Sequence, residues 1–157
     1  YPGTFDPITY GHIDVIKKSL NIFDRVIVAT TDNVNKSYYF SISERLDIIN
    51  NSLFKDLKLN KNKIKVVSFN NLTIDLCKKY KAHAIIRGLR AVSDFEYEFQ
   101  LAGMNKKLNT NIETMFLMSD VENQIISSKF VKEIASLGGN INRFVTKYTV
   151  KMLKNKF

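Results

Sequence analysis

The sequence predicts an α/β fold, a Rossmann-like single domain over residues 1–157 with a five-stranded parallel sheet and helices on both faces. Two observations predict it. Short apolar or β-branched runs alternate with segments of helical periodicity along the whole chain. The first twelve residues, Tyr1-Pro2-Gly3-Thr4-Phe5-Asp6-Pro7-Ile8-Thr9-Tyr10-Gly11-His12, place dense Gly/Pro turn chemistry between a strand stub and a helix.

The elements follow in order. Ile13, Val15, Ile16, Leu20 and Ile22 recur at helical spacing. Arg25–Thr30 is a β-branched strand, and Thr31–Tyr39 is polar and loop-like. Ser41-Ile42-Ser43-Glu44 is a capping box opening a helix through Ile49. Ile64–Phe69 reads as a strand and Leu72–Tyr80 as a helix. Ala84–Ile86 is a strand running into the turn Arg87-Gly88-Leu89-Arg90. Ser93-Asp94-Phe95-Glu96 is a second capping box, for a helix to about Leu108. Glu113–Met118 is a strand, and Ser127–Leu137 is a helix stopped by Gly138-Gly139. Arg143–Leu153 is a last amphipathic helix.

Bulk properties narrow the class. A chain of 157 residues with 45% hydrophobic content is long enough for a proper core. No stretch reaches the roughly 20 apolar residues of a membrane span, and no leader pattern is visible. The chain does not begin with Met, so a few residues are expected to precede Tyr1. A lone cysteine, Cys77, excludes an internal disulfide, fits a reducing cytoplasm and reads as a small buried hydrophobe. The net charge of +9 comes from scattered lysines without interleaved aromatics. A solvated basic face suits that pattern better than a nucleic-acid platform.

In a parallel α/β sheet, ligands bind beyond the carboxyl ends of the strands. Four irregular segments lie there: Gly3–His12, Asp32–Tyr39, Arg87–Arg90 and Asp120–Ser128. They bring together hydroxyls (Thr4, Thr9, Ser127, Ser128), cations or donors (His12, Lys36, Arg87, Arg90) and carboxylates (Asp6, Asp94, Glu98). The set is rich in donors, as several phosphate oxygens require. It holds no nucleophile–base pair, no Cys/His metal spacing, no P-loop and no G-x-G-x-x-G. Taken singly, His12 fits a polar helix start as well as a donor. Lys36 fits a solvated loop, Glu98 a solvated helix face, and Ser127-Ser128 a helix cap. Arg87 and Arg90, so close to a strand end, read as functional.

Thr9-Tyr10-Gly11-His12 is similar to the [HT]-x-G-H signature of the nucleotidyltransferase α/β-phosphodiesterase superfamily. With YPGTFDP, RGLR, DFEYEFQ and ISSKFVKE at matching intervals, the whole chain resembles the bacterial phosphopantetheine adenylyltransferases. The resemblance implies transfer of AMP from ATP to 4′-phosphopantetheine, with Mg²⁺ shielding the triphosphate. It further implies a cytoplasmic homohexamer of two stacked trimers, without nucleic-acid or membrane partners. Feedback inhibition by coenzyme A is common in the family. The open alternatives are another phosphorylated acceptor, such as nicotinate mononucleotide or glycerol phosphate, and a non-catalytic nucleic-acid-binding domain.

The same resemblance assigns roles. His12, Lys36, Thr4 and Arg90 would be catalytic. ATP would meet Thr4, Phe5, His12, Gly88, Leu89, Arg90, Glu98, Asn123, Ile126, Ser127, Ser128 and Lys129. Phosphopantetheine would meet Thr4, Lys36, Leu72, Thr73, Arg87, Leu101, Met104 and Asn105. The chain departs from the family pattern at Asn123-Gln124-Ile125, where an aromatic-Ser pair is usual. It departs again at Lys129, in place of a third Ser or Thr, and at Thr73, in place of Leu or Met.

Overall fold

The computed structural model describes residues 1–33, 37–90 and 92–157, those at 92 and 93 by backbone alone. Two parallel sheets form. β1 (Pro2–Gly3), β2 (Val26–Thr31) and β3 (Ile64–Phe69) make one, with β2 and β3 in register from Val26 opposite Ile64 to Thr31 opposite Phe69. β4 (Ala84–Leu89) and β5 (Glu113–Met118) make the other, from Ala84 opposite Glu113 to Leu89 opposite Met118. The helices are α1 (Tyr10–Ile22), α2 (Ile42–Asn50), α3 (Thr73–Tyr80), α4 (Val92–Leu108), α5 (Val121–Gln124), α6 (Ser128–Ser136) and α7 (Lys147–Lys154). α2 runs directly into a π-helical segment, Asn51–Asp56.

The expected single five-stranded sheet is therefore corrected to three strands plus two. β1 is two residues long, and Pro2 has no N–H to offer a neighbour. The Pro2 carbonyl accepts from Arg87 Nη1 at 2.7 Å. A side chain of β4, rather than a backbone ladder, thus reaches the edge of β1. β4 also continues to Leu89, so Arg87 and Gly88 lie in a strand and not in a turn. Ser93 falls inside α4 rather than at its cap. The last helix begins at Lys147 instead of Arg143. The residues before it form a turn in which Phe144 N–H donates to Ile141 O, while Phe144 O accepts from Tyr10 N–H.

The main core joins α1, the β2 face, α2 and α7 through Phe5, Ile8, Ile16, Val28, Phe40, Ile48, Leu53 and Leu153. A smaller cluster of Ile74, Cys77, Ile85 and Ile112 lies where α3 meets the second sheet. Cys77 is buried there, as its sequence pattern predicts, and burial pushes its thiol pKa up. No helix among the described residues is long and apolar enough to cross a membrane.

One core residue is charged. Arg45 is fully buried on α2, on the face shared by Ile48 and Ile49. Its Nε donates to Phe40 O at 3.1 Å. Nη1 donates to Thr4 O (3.1 Å), Thr31 O (2.7 Å) and Thr30 Oγ1 (3.1 Å). Nη2 meets Asp32 Oδ1 at 3.2 Å, and the guanidinium lies 3.9 Å from the centre of the Tyr38 ring. A buried charge survives only with such saturation of its donors. Arg45→Met leaves these carbonyls buried without their donor. It should cost about 3–5 kcal/mol in urea unfolding; a loss below about 1 kcal/mol contradicts this account of the network.

Candidate active site

The carboxyl ends of β1, β4 and β5 open onto one cleft of about 750 Å³. The turn after β1 shapes its floor. Phe5 holds a left-handed backbone (φ 46°), which an aromatic residue adopts only when its surroundings impose it. Its ring is buried, edge-on to Tyr1 and His12 at 5.4 and 5.2 Å between centroids. Asp6, named above among the available carboxylates, is spent on the scaffold. Its oxygens accept the N–H groups of Tyr39 and Phe40, each at 2.9 Å, and Lys132 Nζ at 3.1 Å.

Thr9 caps α1, and His12 completes a capping box in the place where Glu or Gln is usual. Thr9 N–H donates to His12 Nδ1 at 3.1 Å, and Thr9 Oγ1 lies 2.9 Å from the same nitrogen. Nδ1 is therefore an acceptor, which leaves the proton of the neutral ring on Nε2. Burial, helped by the positive charges of Arg90 and Arg87, lowers the His12 pKa to about 4. At neutral pH the cleft receives an uncharged, oriented N–H donor.

The second wall is β4. Arg87 forks onto Glu98 through Nε (2.7 Å) and Nη2 (2.5 Å), with Nη1 on Pro2 O. Each Glu98 oxygen thereby accepts one Arg87 N–H. Arg90 is more exposed and pairs with Asp94, the closest contact being 3.1 Å. Gly88 lets β4 pack closely on α1: an added Cβ would stand 3.0 Å from Val15 Cγ2.

The third wall is the turn from β5 into α6. Gly11 lets α1 approach it closely, because a Cβ there would meet Asn123 O at 3.0 Å. Lys18 Nζ binds Met118 O and Asp120 Oδ1, both at 2.7 Å, and Asp14 Oδ2 accepts Asp120 N–H at 2.5 Å. Ser127 caps α6 by accepting from Phe130 N–H, and Ser128 Oγ donates to Pro7 O at 2.8 Å. The N-terminus of α6 thus opens on the cleft, where N–H groups and the helix dipole favour an anion.

Of the sequence-predicted residues, Thr4, Phe5, His12, Arg87, Gly88, Leu89, Arg90, Glu98, Ile126, Ser127, Ser128 and Lys129 line this cleft. Asn123 borders it through its contact with Gly11. Leu72 and Thr73 at the start of α3, and Leu101, Met104 and Asn105 on α4, lie outside its lining; Leu72 and Met104 are exposed and Asn105 is buried. Lys36 falls outside the described residues. Sequence reasoning missed Arg45, Lys132, Ser119 and the Lys18–Asp14 clamp. For Arg45 a signal existed: it shares the apolar helical face of Ile42, Ile48 and Ile49.

The carboxylates facing the cleft are each engaged: Asp6 with Lys132, Asp94 with Arg90, Glu98 with Arg87. No cluster of His, Cys, Asp or Glu among the described residues fits a resident metal ion. The depressed His12 pKa has a consequence for stability. Between about pH 6.5 and 4 the unfolded chain holds a proton on this ring that the folded chain does not, so stability falls as pH is lowered through that window. Nitrogen-15 NMR should show His12 as the Nε2–H tautomer at pH 7, protonating only near pH 4. A ring already protonated at pH 6 contradicts this geometry.

Residues 1–134 match a family model described as cytidylyltransferase-like. A phosphopantetheine adenylyltransferase of Pelagibacter ubique (strain HTCC1062) is 68% identical over 157 residues, 100% of this chain and 96% of that one. Another, of Zymomonas mobilis subsp. mobilis, is 47% identical over 154 residues, 98% and 86% of the two chains. A solved Plasmodium falciparum nicotinic acid mononucleotide adenylyltransferase, complexed with NaAD, shares the fold at a TM-score of 0.69. It is 17% identical, and the match covers 99% of this chain and 93% of that one. Kinship across the full length, on a cleft built from these motifs, places the chain in the phosphopantetheine adenylyltransferase family.

Proposed function

We propose that this chain transfers the adenylyl group of ATP to the phosphate of 4′-phosphopantetheine, giving dephospho-coenzyme A and pyrophosphate. The observation that carries the reading is the 68% identity across the whole chain to a protein of that name. The cleft supports it, because its chemistry is that of positioning and charge stabilisation. An acceptor phosphate is already an anionic nucleophile and needs no base. Its oxygen bonds the α-phosphorus of ATP, the bond from that phosphorus to the bridging oxygen breaks, and pyrophosphate leaves with the electron pair. No proton has to move.

The residues divide this work. His12 Nε2–H donates to an α-phosphate oxygen as charge builds there. Thr4 adds its hydroxyl, with the Phe5 N–H beside it. Arg90, Ser127, Ser128 and Lys129 take the β- and γ-phosphates at the N-terminus of α6. Gly88, Leu89, Asn123 and Ile126 meet the rest of ATP. Arg87, steadied by Glu98, shares its remaining N–H groups with the phosphopantetheine phosphate, and Lys36 bridges that phosphate and the α-phosphate. Leu72, Thr73, Leu101, Met104 and Asn105 follow the pantetheine arm out of the cleft. Mg²⁺ would come with ATP and shield its triphosphate; the cleft carboxylates are already paired, so the chain would lend it few ligands.

One nucleotidyltransferase domain spanning residues 1–157 suffices for this chemistry. A cytoplasmic setting suits its unpaired, buried Cys77. The exposed Phe99 and Leu108 on α4, with Phe95 half-exposed, support association of copies, which in the proposed assembly is a homohexamer.

Three measurements check the proposal. Pyrophosphate release from ATP and Mg²⁺ should depend on 4′-phosphopantetheine, with dephospho-coenzyme A identified by mass. Release with nicotinate mononucleotide and not with phosphopantetheine would overturn it. His12→Ala should lower kcat by about 100-fold or more with ATP binding nearly intact; lost ATP affinity at full kcat contradicts the role of His12. Sedimentation should give a hexamer of 18.1 kDa chains, whereas a monomer at working concentration refutes the assembly.

A further inference from the structure

Ser119 directly follows the last residue of β5, at the wall of the cleft. It is 4% exposed, and its Oγ has no hydrogen-bond partner. Among the described residues, Asn51 Oδ1 is the other buried side-chain atom in that condition, and Asn51 lies away from the cleft on the π-helical segment. A buried hydroxyl left unpaired is costly to keep unless a ligand completes it.

The backbone around Ser119 is firmly held. Its own carbonyl accepts from Gln124 Nε2 at 3.0 Å. Lys18 holds the carbonyl of Met118 on one side, and Asp14 holds the N–H of Asp120 on the other. The backbone is therefore held in place while the hydroxyl keeps its hydrogen-bonding capacity unspent, a contact open to a polar atom.

Its position says which atom. Met118 is in register with Leu89, so Ser119 stands beyond β4, on the far side from β1 and Thr4. Phosphates held by His12, Thr4 and the N-terminus of α6 leave the nucleoside to occupy the β4–β5 end. We propose that Ser119 Oγ hydrogen-bonds the nucleoside of bound ATP, at a ribose hydroxyl or a polar edge of the base. This deepens the adenylyl-transfer reading and rests on it.

The test is calorimetric titration of ATP with Mg²⁺ into the full chain and into Ser119→Ala, which needs no turnover. The variant should bind ATP about fivefold more weakly, the loss of one neutral hydrogen bond. Its unfolding midpoint without ATP should equal or exceed the parent's, because the change removes an unpaired hydroxyl. The KM for phosphopantetheine should not move. Titrations with 2′-deoxyATP and 3′-deoxyATP place the contact: a gap that closes puts it on the ribose, and one that persists puts it on the base. ATP affinity equal in parent and variant overturns the proposal. So does a midpoint that falls without ATP, which marks a structural role. A parent that binds no ATP removes the adenylyl-transfer reading, and the proposal with it.

Discussion

The Arg45 guanidinium, wholly buried, donates to the carbonyls of Thr4, Thr31 and Phe40, and so joins the end of β1, the end of β2 and the chain entering α2. Thr30 Oγ1 adds a bond to the same Thr4 carbonyl at 3.0 Å. Asp6 performs the complementary task with the opposite charge, accepting two backbone N–H groups from the chain entering α2 and an ammonium from α6. A cation that satisfies carbonyls and an anion that satisfies N–H groups thus lock the turn carrying Thr4, Thr9 and His12. Hydrogen bonds to charged groups are stronger than neutral ones, and removing one partner leaves a buried charge exposed to its full desolvation cost. These bonds tie the floor of the cleft to β2, α2 and α6.

The cleft itself is cationic in inventory but moderate in net field. Arg87, Arg90 and Lys132 each keep a carboxylate at close range. Even so, the two arginines help to hold His12 neutral, behind burial as the larger cause. A neutral imidazole fixed through Nδ1 is a better instrument here than an imidazolium. In the proposed reaction it would donate one directed bond to a developing charge without having to shed a proton. The paired arginines retain unused N–H groups, so an incoming phosphate can share them without dismantling the pairs.

Much of this was legible in the sequence. β3 and β5 were placed residue for residue, because β-branched and apolar runs bounded by polar segments leave little choice. The capping boxes show the limit of local signals. Ser41–Glu44 forms as expected, while α4 has already begun before Ser93. The RGLR motif and its Gly88 stand out in the sequence, but as a turn; Arg87–Leu89 instead belong to β4, and Gly88 packs against Val15 of α1, a distant element that no local signal reports. The converging hydroxyls and arginines were visible from their places after strands. Their partners were not: Asp6 with Lys132, and Lys18 with Asp120, are separated by more than a hundred residues, and no periodicity reports such pairs. The division of the sheet was hidden as well, because it turns on a two-residue β1 whose carbonyl is taken by a side chain.

In the proposed reaction the cleft catalyses adenylyl transfer by placing donors, with no proton in flight. Single-turnover rates in light and heavy water test it most directly. With enzyme in excess over ATP, saturating phosphopantetheine and matched pH plateaus, the account predicts the same rate of pyrophosphate formation in both solvents. A clear slowing in heavy water, present in the parent and absent in His12→Gln, would contradict it and make His12 an acid–base catalyst instead.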